Sequence, residues 1–419
     1  MTVRRGTNLD RVGGFNDAVV LDAIRRSEQL SRVELAEATG LSGQAISNIA
    51  RRLLDAGLVR EAGRLRGAGL GKPRTLLELE PTGQYAVGVH LDPSVVTVVL
   101  LDLTGEVVAR RPVEQDADDP DVLIDGIAKT IEAVIADSGA LRDRVTGVGI
   151  AAPGPIDVER GVVVDPPNLS AWHLVPLRDE LRERTGLPIL LDKDVTAAAS
   201  AEKWAGQGGS FLFFYLGTGV GAGLVIGDEL VRGSSSNVGE IGHVIVDPDG
   251  PVCYCGRRGC VGESSQPRYL VQQAMAAGVL AQGIDIEDRP AVDAAFAQLC
   301  ALAAGGPGVA REIIGALAGR IAKVVEDIAN LLDLERVVFG GPHWEHLAPV
   351  LGDAVRDALD GRFLMRAVHR FEVAGTALGT DVGAIGAATL VLDQTFSPNP
   401  SLLLQSSSVV AGVTGVTER

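Results

Sequence analysis

Apolar and polar positions recur with a helical period at the start of the chain. Val19, Leu21, Ile24 and Leu30 mark the apolar face of a first helix beginning at residue 15. Ser31 then N-caps a second helix, Glu34 three residues on completes a capping box, and Gly40 closes it. A third opens at Ser42, carries Ala45, Ile46, Ile49, Leu53 and Leu54 at helical spacing, and stops at Gly57. Two helices separated by Gly-Leu-Ser predict a helix-turn-helix. Behind them, residues 58–61 and 76–79 read as strands flanking a Gly/Arg-rich loop at 63–74, the outline of a winged helix.

From residue 84 the period changes. Two strands, Ala86–His90 and Val95–Asp102, lead through a Thr104-Gly105 turn into a third. The pattern returns at Phe211–Leu216, Ala222–Ile226 and Glu229–Val231, so a duplicated α/β body with a cleft between its halves is expected. Between the hairpins lie a helix (122–138), a strand (Val145–Ala151) and a strand–helix pair (189–192, 194–205). A long helix at 309–333, with Ile313, Ile314, Leu317, Ile321, Val324, Val325, Ile328 and Leu331 on one side, runs into a strand at Arg336–Phe339. The expected units are a flexible 1–14, a winged helix at 15–79, a first lobe at 84–205, a second at 206–393 and a disordered tail at 394–419.

Four sets of residues carry candidate chemistry. His243, Cys253, Cys255 and Cys260 offer three thiolates and an imidazole, a donor set suited to a closed, tetrahedral, structural zinc site. Gly256 and Gly259 would let the loop fold around one ion, and the alternative is a loop of buried small hydrophobes. Cys300, alone in an Ala-rich helix, reads as core. The hairpin Leu216–Gly223, with Gly217, Thr218, Gly219 and Gly221, could bring backbone N–H groups to a phosphate, although a ligand-free tight hairpin is an equal reading. Asn168, Asp194, Glu240 and His243 could meet in the cleft, where carboxylates and amides bind sugar hydroxyls. On the third helix Gln44, Ser47, Asn48 and Arg51 are the types that read base edges and phosphates, and Arg64, Arg66, Lys72 and Arg74 in the wing could reach the backbone or minor groove.

Composition sharpens this division. The 419-residue chain has a net charge of −16, which as an average argues against nucleic acid. Residues 1–79, however, hold 13 Lys+Arg against 9 Asp+Glu, and residues 80–419 hold 25 against 45. A basic head on an acidic body predicts a separate partner for the head, with Ser42, Arg52 and the residues above as its contacts. No apolar run reaches the roughly 18–20 residues of a membrane span. With four cysteines the chain has no disulfide framework, so a cytoplasmic protein without a membrane partner is expected.

Taken together, these segments resemble the ROK family of repressors, open reading frames and sugar kinases, in its branch with an N-terminal winged helix. The likeness runs to about residue 393. It rests on Ser31–Ala36 with Thr39-Gly-Leu-Ser, Ala151–Asp157, Leu216–Gly223, Gly239-Glu-Ile-Gly-His243, the Cys-x-Cys-Gly-x-x-Gly-Cys run and Gly379–Ala387. It implies an actin-like, ribonuclease H-like sugar-kinase fold and zinc on His243, Cys253, Cys255 and Cys260. It also implies a sugar site using Asn168, Asp194, Glu240 and His243, with Asp194 where a family kinase keeps its catalytic base.

Departures from the family pattern favour a regulator. Family kinases open the body with Asp-x-Gly-Gly-Thr, whereas this chain has His90-Leu91-Asp92-Pro93-Ser94. An aspartate at a glycine position repels phosphates and proline removes a backbone donor, so no kinase activity is expected. Lys193 replaces a common Asn before Asp194, and could pair with Asp194 or favour an anionic ligand. Gly262 replaces a Glu, with Glu263 next to it as a substitute. The expected protein is a homodimeric or homotetrameric repressor of operator DNA that senses a sugar or sugar phosphate. An ATP-dependent sugar kinase with an accessory head is the alternative.

Overall fold

A computed structural model describes residues 9–65, 74–114, 119–166, 171–206, 208–360 and 370–396. The expected tail, apart from its first residues, lies outside them, as do Arg66, Lys72 and Asn168.

The head contains α1 (Leu9–Ser27), β1 (Leu30–Ser31), α2 (Arg32–Thr39), α3 (Gly43–Asp55), β2 (Val59–Leu65) and β3 (Arg74–Leu79), with sheet order β1-β3-β2. The first helix starts at Leu9, ahead of the expected residue 15. Its buried face is Ala18, Val20, Leu21 and Ile24, so Val20 rather than Val19 points inward. Leu30 is not helical: it leaves the helix and pairs with Leu77 across the sheet. The capping box forms as the spacing requires, Ser31 Oγ accepting from the Glu34 amide and Glu34 Oε2 from the Ser31 amide. The strands β2 and β3 run further into the 63–74 segment than the alternation suggests, because a bulge between Glu61 and Gly63 absorbs an unpaired residue and pairing resumes through Arg64 and Thr75.

The body is built twice. Its first sheet holds β4 (Tyr85–Leu91), β5 (Val96–Asp102), β6 (Val107–Pro112), β7 (Val145–Ala152) and, after α4 (Pro120–Ser138), the short pair β8 (Ile156–Asp157) and β9 (Val162–Val163), and α5 (Leu177–Thr185), the edge strand β10 (Ile189–Lys193). The linking helix α6 (Asp194–Trp204) follows. The second sheet holds β11 (Phe211–Leu216), β12 (Val220–Ile226) and β13 (Glu229–Leu230). After α7 (Val261–Ser264), α8 (Pro267–Ala276), α9 (Arg289–Ala304) and α10 (Val309–Leu332) come β14 (Arg336–Gly340), α11 (Trp344–Asp360), β15 (Glu372–Gly375) and α12 (Val382–Phe396). The orders are β6-β5-β4-β7-β10 and β13-β12-β11-β14-β15, the same arrangement in each half. In both, the first strand pairs in parallel with the fourth, and the fourth with the fifth.

Each half has its own apolar core, one around Val87, Val89, Ile131 and Trp172, the other around Phe214, Phe296, Ile314 and Phe339. Leu331, expected on the inner face of α10, is instead 81% exposed. The buried stripe 318, 322, 325, 329 follows the 3.6-residue pitch and passes Leu331 by one position.

Two helices of small residues pack tightly against the sheets. A Cβ on Gly88 or Gly149 would lie 1.9 or 1.8 Å from the Ala384 or Ala387 carbonyl oxygen of α12, and one on Gly223 would lie 2.2 Å from that of Val195 on α6. Gly386 of α12 is held equally close to Ala197 of α6. Thus α12, the last of the described elements, lies against the first sheet. Asp194 is the first residue of α6, next to the Val195 carbonyl that Gly223 approaches.

Candidate functional site

On α3, Ile46, Ile49, Ala50 and Leu53 are buried while Gln44, Asn48 and Arg51 are exposed on the opposite side, with Ser47 partly so. Positions 44, 47, 48 and 51 follow the i, i+3, i+4, i+7 spacing of one helical face. Ser42 caps the helix by accepting from the Ala45 amide, and Ser47 Oγ donates to the Gly43 carbonyl at 2.7 Å. Gln44 Nε2 donates to Asn48 Oδ1 at 3.4 Å. Arg52, expected among the DNA contacts, is ion-paired with Asp17 of α1 and braces the two helices. Arg74 is exposed at the start of β3, and Arg64 lies opposite Thr75 in the sheet.

In the body, the C-terminal end of β10 delivers Asp192, Lys193 and Asp194. Ligand groups collect at such strand ends in α/β folds. Lys193 is only 3% exposed, and its Nζ lies 2.6 Å from Glu240 Oε1 and donates to the Val238 carbonyl at 3.1 Å. Its ion-pair partner is therefore Glu240, which is 60% exposed. Burial raises the Asp194 carboxyl above its ordinary range, opposed by the charges of Lys193 and His90. Asp192, raised likewise by burial, accepts from Arg232 Nε at 2.9 Å. Asn237 ties its loop to the first half through the Ile156 backbone, accepting from the amide and donating to the carbonyl, both at 2.8 Å. Glu263 is not drawn to this cluster: Arg268 holds both its oxygens, at 2.8 and 3.0 Å.

The hairpin between β11 and β12 faces the loop after β4. Gly217 donates to the Gly219 carbonyl inside the turn. A Cβ on Gly221 would come within 2.7 Å of the Val195 side chain, so packing against α6 favours glycine here without any ligand. Thr218 Oγ1 donates to Asp92 Oδ1 at 3.0 Å and accepts from Arg289 Nη2 at 2.8 Å. Asp92 is 7% exposed and also accepts from the Ser94 amide at 2.7 Å. Burial pushes the Asp92 carboxyl up, but His90 and the hydrogen bonds from Ser94 and Thr218 outweigh it and hold the group below its usual range.

The sulfur and imidazole atoms of His243, Cys253, Cys255 and Cys260 all lie within 4.8 Å of one another, a set that could hold a metal ion. His243 Nδ1 is 3.5 Å from Cys253 Sγ, and Cys255 Sγ is 3.7 Å from Cys260 Sγ. A tetrahedron with metal–sulfur bonds of about 2.3 Å has edges of about 3.8 Å, so these spacings fit. Gly259, at φ +68°, sits where a Cβ would meet the Asp247 carbonyl oxygen at 1.5 Å, and Arg320 of α10 holds Asp247 at 2.8 Å. The other ring nitrogen of His243 meets the Tyr254 hydroxyl at 3.0 Å, which leaves Nδ1 toward the thiols. Cys300 is 3% exposed in α9, and burial alone pushes its thiol up to about 12, in keeping with a core residue.

Tyr254, Asn237, Arg289 and the Asp92–Thr218 bond were not recovered by sequence reasoning. The last joins residues 126 apart, and no local pattern encodes such a pairing. Only the irregular His90–Ser94 stretch signalled that the turn was unusual.

Residues 86–394 match the sequence profile of the ROK family, and residues 14–66 match that of the MarR family. The chain is 26% identical over 402 residues to the DNA-binding transcriptional repressor Mlc of Escherichia coli strain K12, covering 95% of this chain and 97% of that protein. It is 25% identical over 390 residues to the xylose repressor of Caldicellulosiruptor bescii, covering 91% and 96%. Among solved structures, a ROK family glucokinase from Streptomyces griseus in complex with glucose and AMPPNP is 30% identical with a TM-score of 0.60, covering 73% of this chain and 98% of that one.

Proposed function

The chain belongs to the ROK family, and on that premise we propose that it is a sugar-responsive transcriptional repressor. The winged-helix head binds operator DNA, and the kinase-like body senses a sugar or sugar phosphate without phosphorylating it. The Gln44–Ser47–Asn48–Arg51 face, exposed except for the half-buried Ser47, carries the reading, because those side chains along one face of a recognition helix suit the major groove. The repressor relatives, which span the head as well as the body, support it.

Asn168, Lys193, Asp194, Glu240 and His243 form the proposed effector site, with Glu263 the weakest member because Arg268 already occupies it. A ligand hydroxyl would exchange with Lys193 at Glu240 and with Tyr254 at His243. A sugar that binds one closure state of the cleft better shifts the population toward that state. Zinc suits the His243, Cys253, Cys255 and Cys260 donor set, and its part would be to brace the loop that presents Glu240 and His243. A homodimer or homotetramer would set two heads on a palindrome with half-sites about 10 bp, or multiples of it, apart.

The kinase alternative draws on the retained Asp194 and on the glucokinase likeness. Against it stand His90, Asp92 and Pro93 where phosphate handling needs an acid and two glycines. A fluorescence-anisotropy assay of the full chain on its own promoter, repeated with common sugars and sugar phosphates, tests the reading. Specific binding altered by one ligand is expected. Absence of promoter binding, or ATP-dependent turnover of a hexose or pentose, would overturn it.

A further inference from the structure

The loop after β4 and the turn after β11 occupy equivalent places in the two halves, each following the first strand of a sheet of the same order. Ligands of open α/β sheets bind outside such carboxyl ends. Here the space between the turns holds a carboxylate of the chain itself. Asp92 accepts from Ser94 N, from Ser94 Oγ and from Thr218 Oγ1 on the opposite half, while Tyr215 Oη approaches its other oxygen at 3.5 Å. Arg289 donates to the same Thr218 hydroxyl, placing a guanidinium beside the pair. Hydroxyl donors, a backbone amide and an arginine around a buried negative charge are the furniture of an anion site.

We propose that Asp92 is a tethered anion: its carboxylate fills the subsite that Thr218 and Arg289 would otherwise offer to a phosphate group, and so ties the two halves of the body together without a nucleotide. This rests on the non-catalytic reading of the cleft and adds a cause to it. The chain excludes phosphate by occupying the place with its own charge, beyond merely lacking glycines. Asp92 thereby acts as a positioning residue, and Arg289 is assigned to the same subsite.

The test is calorimetric titration of the full chain with AMPPNP and Mg2+, for the natural protein and for Asp92→Gly, Asp92→Asn and the double variant Asp92→Gly/Arg289→Ala. Asp92→Gly is expected to bind at least tenfold more tightly than the natural protein, with Asp92→Asn moving in the same direction by less. Adding Arg289→Ala should abolish the gain, which a role of Asp92 in folding alone would not produce. If neither Asp92 variant gains affinity while the natural chain does not bind, the tethered-anion inference falls and the non-catalytic reading stands. If the natural chain binds as tightly as Asp92→Gly, the inference also falls, and turnover of a sugar under the same conditions would remove the non-catalytic reading. Asp92→Asn keeps the side-chain volume, so the question is still answered if the glycine variant does not fold.

Discussion

His343, just before α11, makes a pH-dependent contribution to stability. Burial, with Arg289 and His346 adding to it against Asp293 and Asp92, pushes its imidazole down to about 4. The folded chain thus binds fewer protons than the unfolded one between pH 4 and 6.5. Its contribution is complete above pH 6.5 and is lost as the pH falls toward 4. From pH 7 to pH 5 the loss is about 2 kcal/mol. Urea midpoints at the two pH values should separate more for the natural protein than for His343→Gln, and equal separation would remove His343 as the source. No pattern around Gly340-Gly341-Pro342-His343 signals this burial; Phe296 on α9, whose ring centroid lies 5.6 Å from that of His343, is distant in sequence. The Ser31–Glu34 box and the cysteine loop were legible for the opposite reason: their partners are three and ten or fewer residues away, respectively, within reach of a spacing argument.

At the scale of elements, hydrophobic period located the head helices, the two hairpins, α4, α6 and α10, but it assigned no element to α5, α8, α11, β15 or α12 and gave no depth of contact. The repeated strand–turn–strand units announced the two sheets, and the glycines in them read equally as phosphate turns or as packing. The structure divides them by position. Gly223, Gly88, Gly149 and Gly386 are where one backbone approaches another, Gly221 faces the Val195 side chain, and Gly315 in the exposed part of α10 has nothing within 4 Å of an added Cβ. Two alanine substitutions should therefore act in opposite directions. Gly386→Ala places a methyl 1.8 Å from the Ala197 carbonyl oxygen and should destabilise by about 1–3 kcal/mol or more. Gly315→Ala removes only helix-interior flexibility and should stabilise by about 0.5–1 kcal/mol. Denaturant midpoints check both, and a destabilised Gly315→Ala would mean that its face of α10 is covered.

For the whole molecule, the uneven charge is the property that most constrains DNA binding. A head with 13 basic and 9 acidic residues on a body with 25 and 45 confines phosphate attraction to one end of the sequence. The structure narrows the head's resources further. Arg52 is held by Asp17, and Arg60 by Glu78 at 2.7 Å, so neither is at full strength for phosphate. Arg51 and Arg74 are exposed, and Arg51 shares the face of Gln44 and Asn48. With few exposed cations among its described residues, one head is expected to show a shallow salt dependence, and a steep one would require two heads on one operator. Each phosphate contact contributes a slope of about −0.9 in the logarithm of affinity against that of salt. Arg51→Ala should weaken operator binding and lower the slope by about 1 per head engaged, whereas Arg52→Ala should change it less because a carboxylate already neutralises that side chain. A salt series with both variants on the same promoter fragment decides this: equal effects from the two arginines would mean that the Asp17 pair opens on binding, and a drop near 2 for Arg51→Ala would count two heads on the site.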